Sequence, residues 1–105
     1  MRSQLVLIAV LAAGPALARG VPWPADGVYC GPADTMAIVV DGGGIGVDGL
    51  GCRGGRIRRG RYVAELCYAN GGSTVAYDTD LRLRRDGTLL HDGGIYRRRD
   101  RGPCP

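Results

Sequence analysis

The chain contains no lysine, so all fourteen of its basic side chains are arginines, against ten acidic residues. A complete absence of lysine beside abundant glycine and alanine is typical of a GC-rich coding bias. It does not by itself indicate a need for guanidinium chemistry. The formal net charge of +4 favours attraction to anionic surfaces and specifies no particular partner.

Catalytic side chains are equally scarce. The chain has one histidine, His91, and one glutamate, Glu65, and its only serine after Ser3 is Ser73. A set of Ser73, His91 and Asp92 is conceivable, but no nucleophile-elbow motif surrounds the serine. A histidine that ends a strand just before a turn is expected to be exposed or at a rim. No second acid pairs with Glu65, as glycoside hydrolysis requires, so we expect no catalytic residue, no cofactor and no enzyme.

The cysteines lack the C-x2-C spacing of zinc knuckles. There are four of them: Cys30, Cys52, Cys67 and Cys104. An even number of cysteines in an exported chain predicts two disulfides, each of which stabilises a fold by about 2 to 4 kcal/mol. We therefore expect disulfides and no metal site.

The disulfide pairing depends on the register of one hairpin. A turn at Arg59-Gly60 sets Cys52 opposite Cys67. The same register sets Arg53 opposite Leu66, and a bulge at Gly54-Gly55 that repairs this mismatch would shift the cysteines out of alignment. Two pairings stay open: Cys30–Cys104 with Cys52–Cys67, and Cys30–Cys52 with Cys67–Cys104.

The N-terminus has the order of a secretory signal. Arg2 precedes an apolar run from Leu5 to Ala13, which is shorter than the roughly 20 residues needed to cross a bilayer, and the small residues Ala16-Leu17-Ala18 follow. This pattern predicts a signal peptide at residues 1–18, cleaved near Ala18, and a single domain at 19–105. We expect a periplasmic or secreted protein without a membrane span.

Turn signals dominate the rest of the chain. Pairs that supply the positive φ of tight turns are Asp26-Gly27, Asp41-Gly42, Asp48-Gly49, Asn70-Gly71, Asp86-Gly87 and Asp92-Gly93. Their spacing predicts an all-β fold of about six to eight short strands, an antiparallel barrel or sandwich. No window shows helical periodicity.

Alternation along two segments predicts which side chains face the core. In the segment 62–68, Tyr62, Leu66 and Tyr68 share one face. In the hairpin 81–91, Leu81 and Leu83 point inward. We therefore place these five side chains on the core side of the sheet.

The glycine-rich segment 43–51 matches the calcium nonapeptide template at every fixed position. That template binds calcium only in tandem copies, because each ion lies between adjacent coils. A single copy predicts a glycine-rich hairpin or bulge.

Arginines occupy the outward positions of two strands: Arg56, Arg58, Arg82 and Arg84. If these strands are neighbours, the guanidiniums form one basic face that can bind phosphate or carboxylate groups. The alternative is a solvated face that prevents an edge strand from pairing with another molecule. The segment 51–62 also looks like an arginine-glycine RNA-binding element, but it has one Arg-Gly-Gly triplet and no interleaved aromatic residue before Tyr62. We expect no nucleic-acid partner.

Spacing along the chain also carries a family resemblance. Trp23, which we expect to plug one end of the sheet, precedes a cysteine and a hydrophobic strand. A glycine-bounded turn leads into Cys52-Arg53, and a leucine-rich hairpin runs into Tyr96-Arg97-Arg98-Arg99 and a terminal cysteine. This order resembles uncharacterised small periplasmic disulfide-containing β-proteins of alphaproteobacteria. The resemblance implies a fold and a compartment, and no activity.

Two functions are consistent with these features. The first is an exported, non-enzymatic binding or interaction protein of the bacterial cell envelope. The alternative is an inhibitor of a secreted hydrolase such as lysozyme or a protease. Periplasmic lysozyme inhibitors are also small disulfide-bonded barrels and carry a Ser-Gly-x-x-Tyr loop. Here the segment 72–77, GSTVAY, has related residue types in a different spacing and order.

Overall fold

The computed structural model describes residues 22–105, and the signal peptide predicted at 1–18 lies outside them. Ten strands form in this part of the chain: β1 (Gly27–Cys30), β2 (Ile38–Asp41), β3 (Gly44–Val47), β4 (Leu50–Arg53), β5 (Arg56–Arg58), β6 (Arg61–Tyr68), β7 (Thr74–Asp80), β8 (Arg82–Leu83), β9 (Leu89–His91) and β10 (Gly94–Arg99). None of the described residues belongs to a helix that is long and apolar enough to cross a membrane.

The strands pair antiparallel in the order β5-β6-β4-β3-β2-β1-β10-β9-β8, and β7 pairs with β6. They curl into a nearly closed barrel, so the all-β prediction is confirmed and the barrel replaces the sandwich. The ten strands exceed the expected number. The excess arises because two glycines divide the segment 50–58 into β4 and β5, and because β8 is only two residues long.

Tight turns join the hairpins where the dipeptides predict them. Asp48-Gly49, Arg59-Gly60 and Asp92-Gly93 each have positive φ at both residues. This conformation matches the twist of the flanking strands. Between β2 and β3 the positive-φ pair is Gly42-Gly43, one residue later than the Asp-Gly pair suggests.

The core fills the barrel with β-branched, leucine and tyrosine side chains. Leu81, Leu89 and Tyr62 are fully buried. The Tyr62 hydroxyl donates a hydrogen bond to the Gly54 carbonyl at 2.7 Å, so this buried polar group is satisfied. Trp23 packs against the core in an edge-to-face arrangement with the Tyr62 ring, at a centroid distance of 6.3 Å.

Two adjacent segments, residues 64–67 of β6 and residues 52–57 of β4 and β5, interrupt the alternation of buried and exposed side chains at the same level of the barrel. On β6, Ala64 and Cys67 are both buried, since a bulge there lets two residues of β6 oppose one of β7. On the other side of β6, Cys52 and Ile57 are both buried. They are five positions apart, and strict alternation would place them on opposite faces of the sheet. Because both segments shift, the Cys52–Cys67 and Ile57–Tyr62 partners belong to one continuous register.

One prediction is wrong because of this interrupted alternation. Leu66 and Tyr68 do not share the core face with Tyr62; they are 39% and 43% exposed. The bulge reverses the alternation between Tyr62 and these two residues. The predicted positions of Leu81, which is buried, and Leu83, which packs partly buried against the core, are confirmed.

The disulfides follow the nested pairing, Cys52–Cys67 and Cys30–Cys104. The first joins directly opposite residues of β4 and β6. The second ties the C-terminal segment to the end of β1, 74 residues away in sequence. The register that aligns the inner cysteines also pairs Arg53 with Leu66, and both side chains are exposed. The conflict expected from the pairing of Arg53 with Leu66 therefore does not arise.

Candidate functional site

The barrel brings two arginine-bearing segments together where β5 meets β8. We call this region the seam. The backbone N–H of Leu81, the residue before β8, donates to the carbonyl of Gly60 at 3.0 Å. Leu81 is fully buried, so the core and this hydrogen bond hold the neighbouring Arg82 beside the β5–β6 turn.

One surface groove follows the seam. We call it the seam groove; its lining residues are Pro22, Ile57, Arg58, Arg59, Gly60, Arg82 and Leu83. The lining contains three arginines and no acidic residue. The Arg82 guanidinium lies against the turn, because a Cβ built on Gly60 would be 2.9 Å from its Nη2 atom. The groove therefore combines three positive side chains with the apolar residues Pro22, Ile57 and Leu83.

The predicted arginine face is only partly continuous. Arg84 shares a second groove with Arg82, Arg85 and Asp86. Arg56 lines another groove with Arg53 and Glu65. The Asp86 carboxylate adds one negative charge to the second groove, and it accepts hydrogen bonds from the Thr88 N–H at 3.0 Å and hydroxyl at 2.6 Å. These hydrogen bonds lower the pKa of Asp86.

Within residues 22–105, arginine salt bridges occur elsewhere on the surface. Arg61 binds Asp78 at 2.7 Å, and Arg98 binds Asp100 at 3.2 Å. None of the described carboxylates forms a salt bridge with any of the four predicted arginines or with Arg59. The guanidiniums of the seam groove are consequently open to an external anion.

A polar cluster around His91 lies at the end of β9. The expectation of an exposed or rim histidine is wrong, because His91 is 4% exposed. Its Nδ1 lies 2.7 Å from the Asp80 carbonyl oxygen, and its Nε2 lies 3.1 Å from Asp48 Oδ1. The Tyr77 hydroxyl donates to Asp48 Oδ2 at 2.5 Å. The cluster joins the β3–β4 turn, the end of β7 and the end of β9.

Both neighbours of the imidazole are acceptors, which determines its charge. A neutral imidazole has one N–H, whereas a carbonyl and a carboxylate together need two donors. His91 therefore matches its surroundings as the imidazolium. Burial disfavours that form, but the hydrogen bonds to Asp80 and Asp48 and their negative charges outweigh burial and raise the pKa of His91. Burial likewise opposes the ionised form of Asp48, yet the Tyr77 and His91 hydrogen bonds lower its pKa.

The His91 cluster offers no base to a nucleophile. Both ring nitrogens are engaged with Asp48 and Asp80, and Ser73 lies in the β6–β7 turn with its carbonyl bound to the Ala69 N–H. Asp92 is not one of the ring's hydrogen-bond partners; its backbone N–H donates to the Asp80 carboxylate at 2.7 Å. Among the described residues, no group of three or more His, Cys, Asp or Glu side chains is placed to hold a metal ion.

Sequence reasoning missed the partners of His91. The sequence places Asp48 in a turn and Tyr77 in a loop segment, and it indicates no role for Asp80. Asp48 is 43 residues from His91, so no local pattern could join them. The segment 43–51 does form the predicted glycine-rich hairpin, β3 and β4. Its aspartate binds side chains of the same chain.

Comparisons with family models, with curated proteins and with solved structures find no match for this chain. The resemblance to small periplasmic β-proteins therefore stays a prediction.

Proposed function

We propose that this protein is an exported, non-enzymatic binding protein of the bacterial cell envelope, whose arginine-rich face meets an anionic partner. The observation that supports this most directly is the seam groove, where arginines from β5 and β8 converge without an acidic residue in the lining. Guanidinium groups present planar pairs of donors that match phosphate and carboxylate oxygens. Solvation alone does not require such convergence.

The remaining features are consistent with an exported protein. Disulfides persist in oxidising compartments, and small exported domains commonly depend on them. The protein has two. A rigid barrel with few catalytic side chains suits presentation of a charged surface better than turnover of a substrate.

The test is retention of the purified protein on envelope fractions in a series of salt concentrations. We expect retention to fall as salt rises, because exposed charges are screened beyond about 10 Å at 0.1 M salt. The variant with Arg56, Arg58, Arg82 and Arg84 changed to alanine is expected to lose most of the retention. Unaltered retention of this variant would refute the proposal.

Two double variants distinguish binding at the seam from attraction to net charge. Arg58→Ala with Arg82→Ala removes two seam charges, and Arg99→Ala with Arg101→Ala removes two exposed charges elsewhere. If the seam is the binding surface, the first pair weakens retention much more than the second. Equal effects of the two pairs would indicate unspecific attraction to net charge.

Inhibition of a secreted hydrolase is the second candidate. The tip of the β6–β7 hairpin, residues 70–73, is exposed, and hydrogen bonds between Ala69 and both Ser73 and Gly72 fix its base. A rigid exposed tip can enter the cleft of an enzyme. This candidate predicts loss of lysozyme or protease activity at high molar excess, and undiminished activity in both assays would exclude those targets.

A further inference from the structure

The tip of the β5–β6 hairpin departs from the chemistry of the two Asp-Gly turns that have the same backbone conformation. The turns at Asp48-Gly49 and Asp92-Gly93 place aspartate in the left-handed conformation, with φ of 53° and 51°. Aspartate and asparagine adopt this conformation at low cost, because their short side chains bond to the local backbone. At the corresponding position of the third turn the chain has Arg59, with φ of 53°. A long arginine side chain has no such compensation there.

The fold alone does not explain Arg59. Its side chain is exposed, and it contributes nothing to the core. An asparagine at this position would form the same turn with less backbone strain. The guanidinium is therefore explained by what it reaches in the seam groove, which it lines together with Arg58 and Arg82.

Gly60 completes this arrangement. Its φ is +77°, and a Cβ at this position would approach the Arg82 guanidinium to 2.9 Å. The absence of a side chain lets Arg82 lie against the turn that presents Arg59. The Leu81–Gly60 backbone hydrogen bond keeps β8 at this height, so Arg82 is positioned beside the turn before any ligand arrives.

The number of guanidiniums indicates the class of ligand. A carboxylate has two oxygens and a single charge, and one arginine fork satisfies it. A phosphate monoester has three terminal oxygens and a charge of about −1.5 to −2. With no acidic residue in the lining, the groove suits the more highly charged group.

We propose that the seam groove is a binding site for a phosphate monoester, held by Arg58, Arg59 and Arg82. This inference rests on the proposed function and names the chemistry of its anionic partner. The monoester belongs either to a soluble molecule or to a lipid headgroup, and the two sources differ in what competes for the site.

The test uses titration calorimetry on the oxidised protein with glycerol phosphate, inorganic phosphate and acetate at matched ionic strength. We expect both phosphates to bind more tightly than acetate. Arg59→Asn is expected to weaken glycerol phosphate binding by at least about tenfold, since a hydrogen bond to a charged group contributes on this scale. Its thermal stability is expected to equal or exceed that of the parent. Arg101→Asn removes the same charge from an exposed position after β10 and is expected to bind as the parent does.

A vesicle experiment distinguishes the sources. Binding to vesicles that contain phosphatidic acid, but not to phosphatidylcholine vesicles, together with weak competition by glycerol phosphate, identifies a lipid headgroup. Full competition by glycerol phosphate identifies a soluble ligand. Either result supports the phosphate site.

The site is refuted if acetate binds as tightly as the phosphates, or if Arg59→Asn binds as the parent does. If envelope retention is lost in the quadruple variant but phosphate does not bind, the proposed function stands and the phosphate site is wrong. If retention is also unaltered, both are wrong.

Discussion

The His91 cluster predicts that the stability of the barrel depends on pH. Because the folded state raises the pKa of His91 above its ordinary value of 6.5, the corresponding stabilisation is complete below that value. It is lost as the pH rises through the folded pKa. Asp48 has the opposite behaviour, because its pKa is lowered from 3.8. Its stabilisation is present above that value and is lost as the pH falls through its folded pKa. The cluster is most stabilising between 3.8 and 6.5.

Two facts limit the expected change of the free energy of unfolding with pH. One linked proton changes the free energy of unfolding by at most about 1.4 kcal/mol per pH unit. The His91 side chain is 5% exposed, but that of Asp48 is 40% exposed. The pair is therefore partly screened, and we expect a total loss of about 1 to 2 kcal/mol from pH 6 to pH 8.

Asp48→Asn tests the physical cause. Asparagine tolerates the left-handed conformation of position 48, still accepts the Tyr77 hydrogen bond, and its amide can donate to a neutral His91. We expect the variant to be less stable than the parent at pH 6 and to show a smaller decline towards pH 8, because the Asp80 hydrogen bond and charge still favour the imidazolium. Asp41→Asn, in another exposed Asp-Gly pair, is the control and is expected to follow the parent.

Urea denaturation at several pH values measures the free energies. His91 is the only histidine, so its ring proton resonances report its titration directly by NMR. We expect a midpoint above 6.5, the ordinary value, and a lower midpoint in Asp48→Asn. A parent midpoint at or below that value, or an identical slope of stability against pH in both proteins, would contradict the assignment of an imidazolium between two acceptors.

Three further predictions concern the fold, each measured by urea denaturation. Leu81→Ala is expected to lower the free energy of unfolding by about 2 to 5 kcal/mol, since the side chain is fully buried. Gly55→Ala is expected to cost more than about 1 kcal/mol, because the residue has a φ of +87° and its Cβ would lie 2.6 Å from the Val63 carbonyl oxygen. Replacing Cys30–Cys104 by alanines is expected to destabilise more than replacing Cys52–Cys67, by about 1.4 kcal/mol, since their separations are 74 and 15 residues.

Local chemistry predicted much of the barrel. Turn dipeptides such as Asp92-Gly93 determine backbone φ over two residues, and a hairpin register follows from the position of its turn. The turn at Arg59-Gly60 therefore placed Cys52 opposite Cys67 correctly. The failure at Leu66 and Tyr68 has a different cause, because a single bulge reverses every later position on a strand. Gly54 and Gly55 indicated the change of face between Cys52 and Ile57. Nothing in the β6 sequence indicated the bulge between Ala64 and Cys67.

The polar sites depend on contacts between distant segments. Burial of His91 requires Asp48 and Asp80 from other strands, and the seam requires β5 to meet β8. Outward alternation predicted that Arg58 and Arg82 are exposed, and the closure of the barrel brings them to one groove. Arg56, although it is also exposed, lines a different groove. Alternation assigns a face of the sheet, and only the curvature of the barrel decides which side chains on that face meet.

One short segment joins both polar regions. The Asp80 carbonyl accepts from His91, the Leu81 N–H donates to Gly60, and Arg82 lines the seam groove. Burial of a leucine side chain stabilises by about 1.5 to 3 kcal/mol, and its backbone hydrogen bond adds about 0.5 to 1.5 kcal/mol. Together, the burial of Leu81 and its hydrogen bond to Gly60 stabilise this segment at least as much as the hydrogen bond that His91 loses when it is deprotonated. Arg82 therefore keeps its place at high pH, and the histidine cluster governs the stability of the barrel without governing the geometry of the seam.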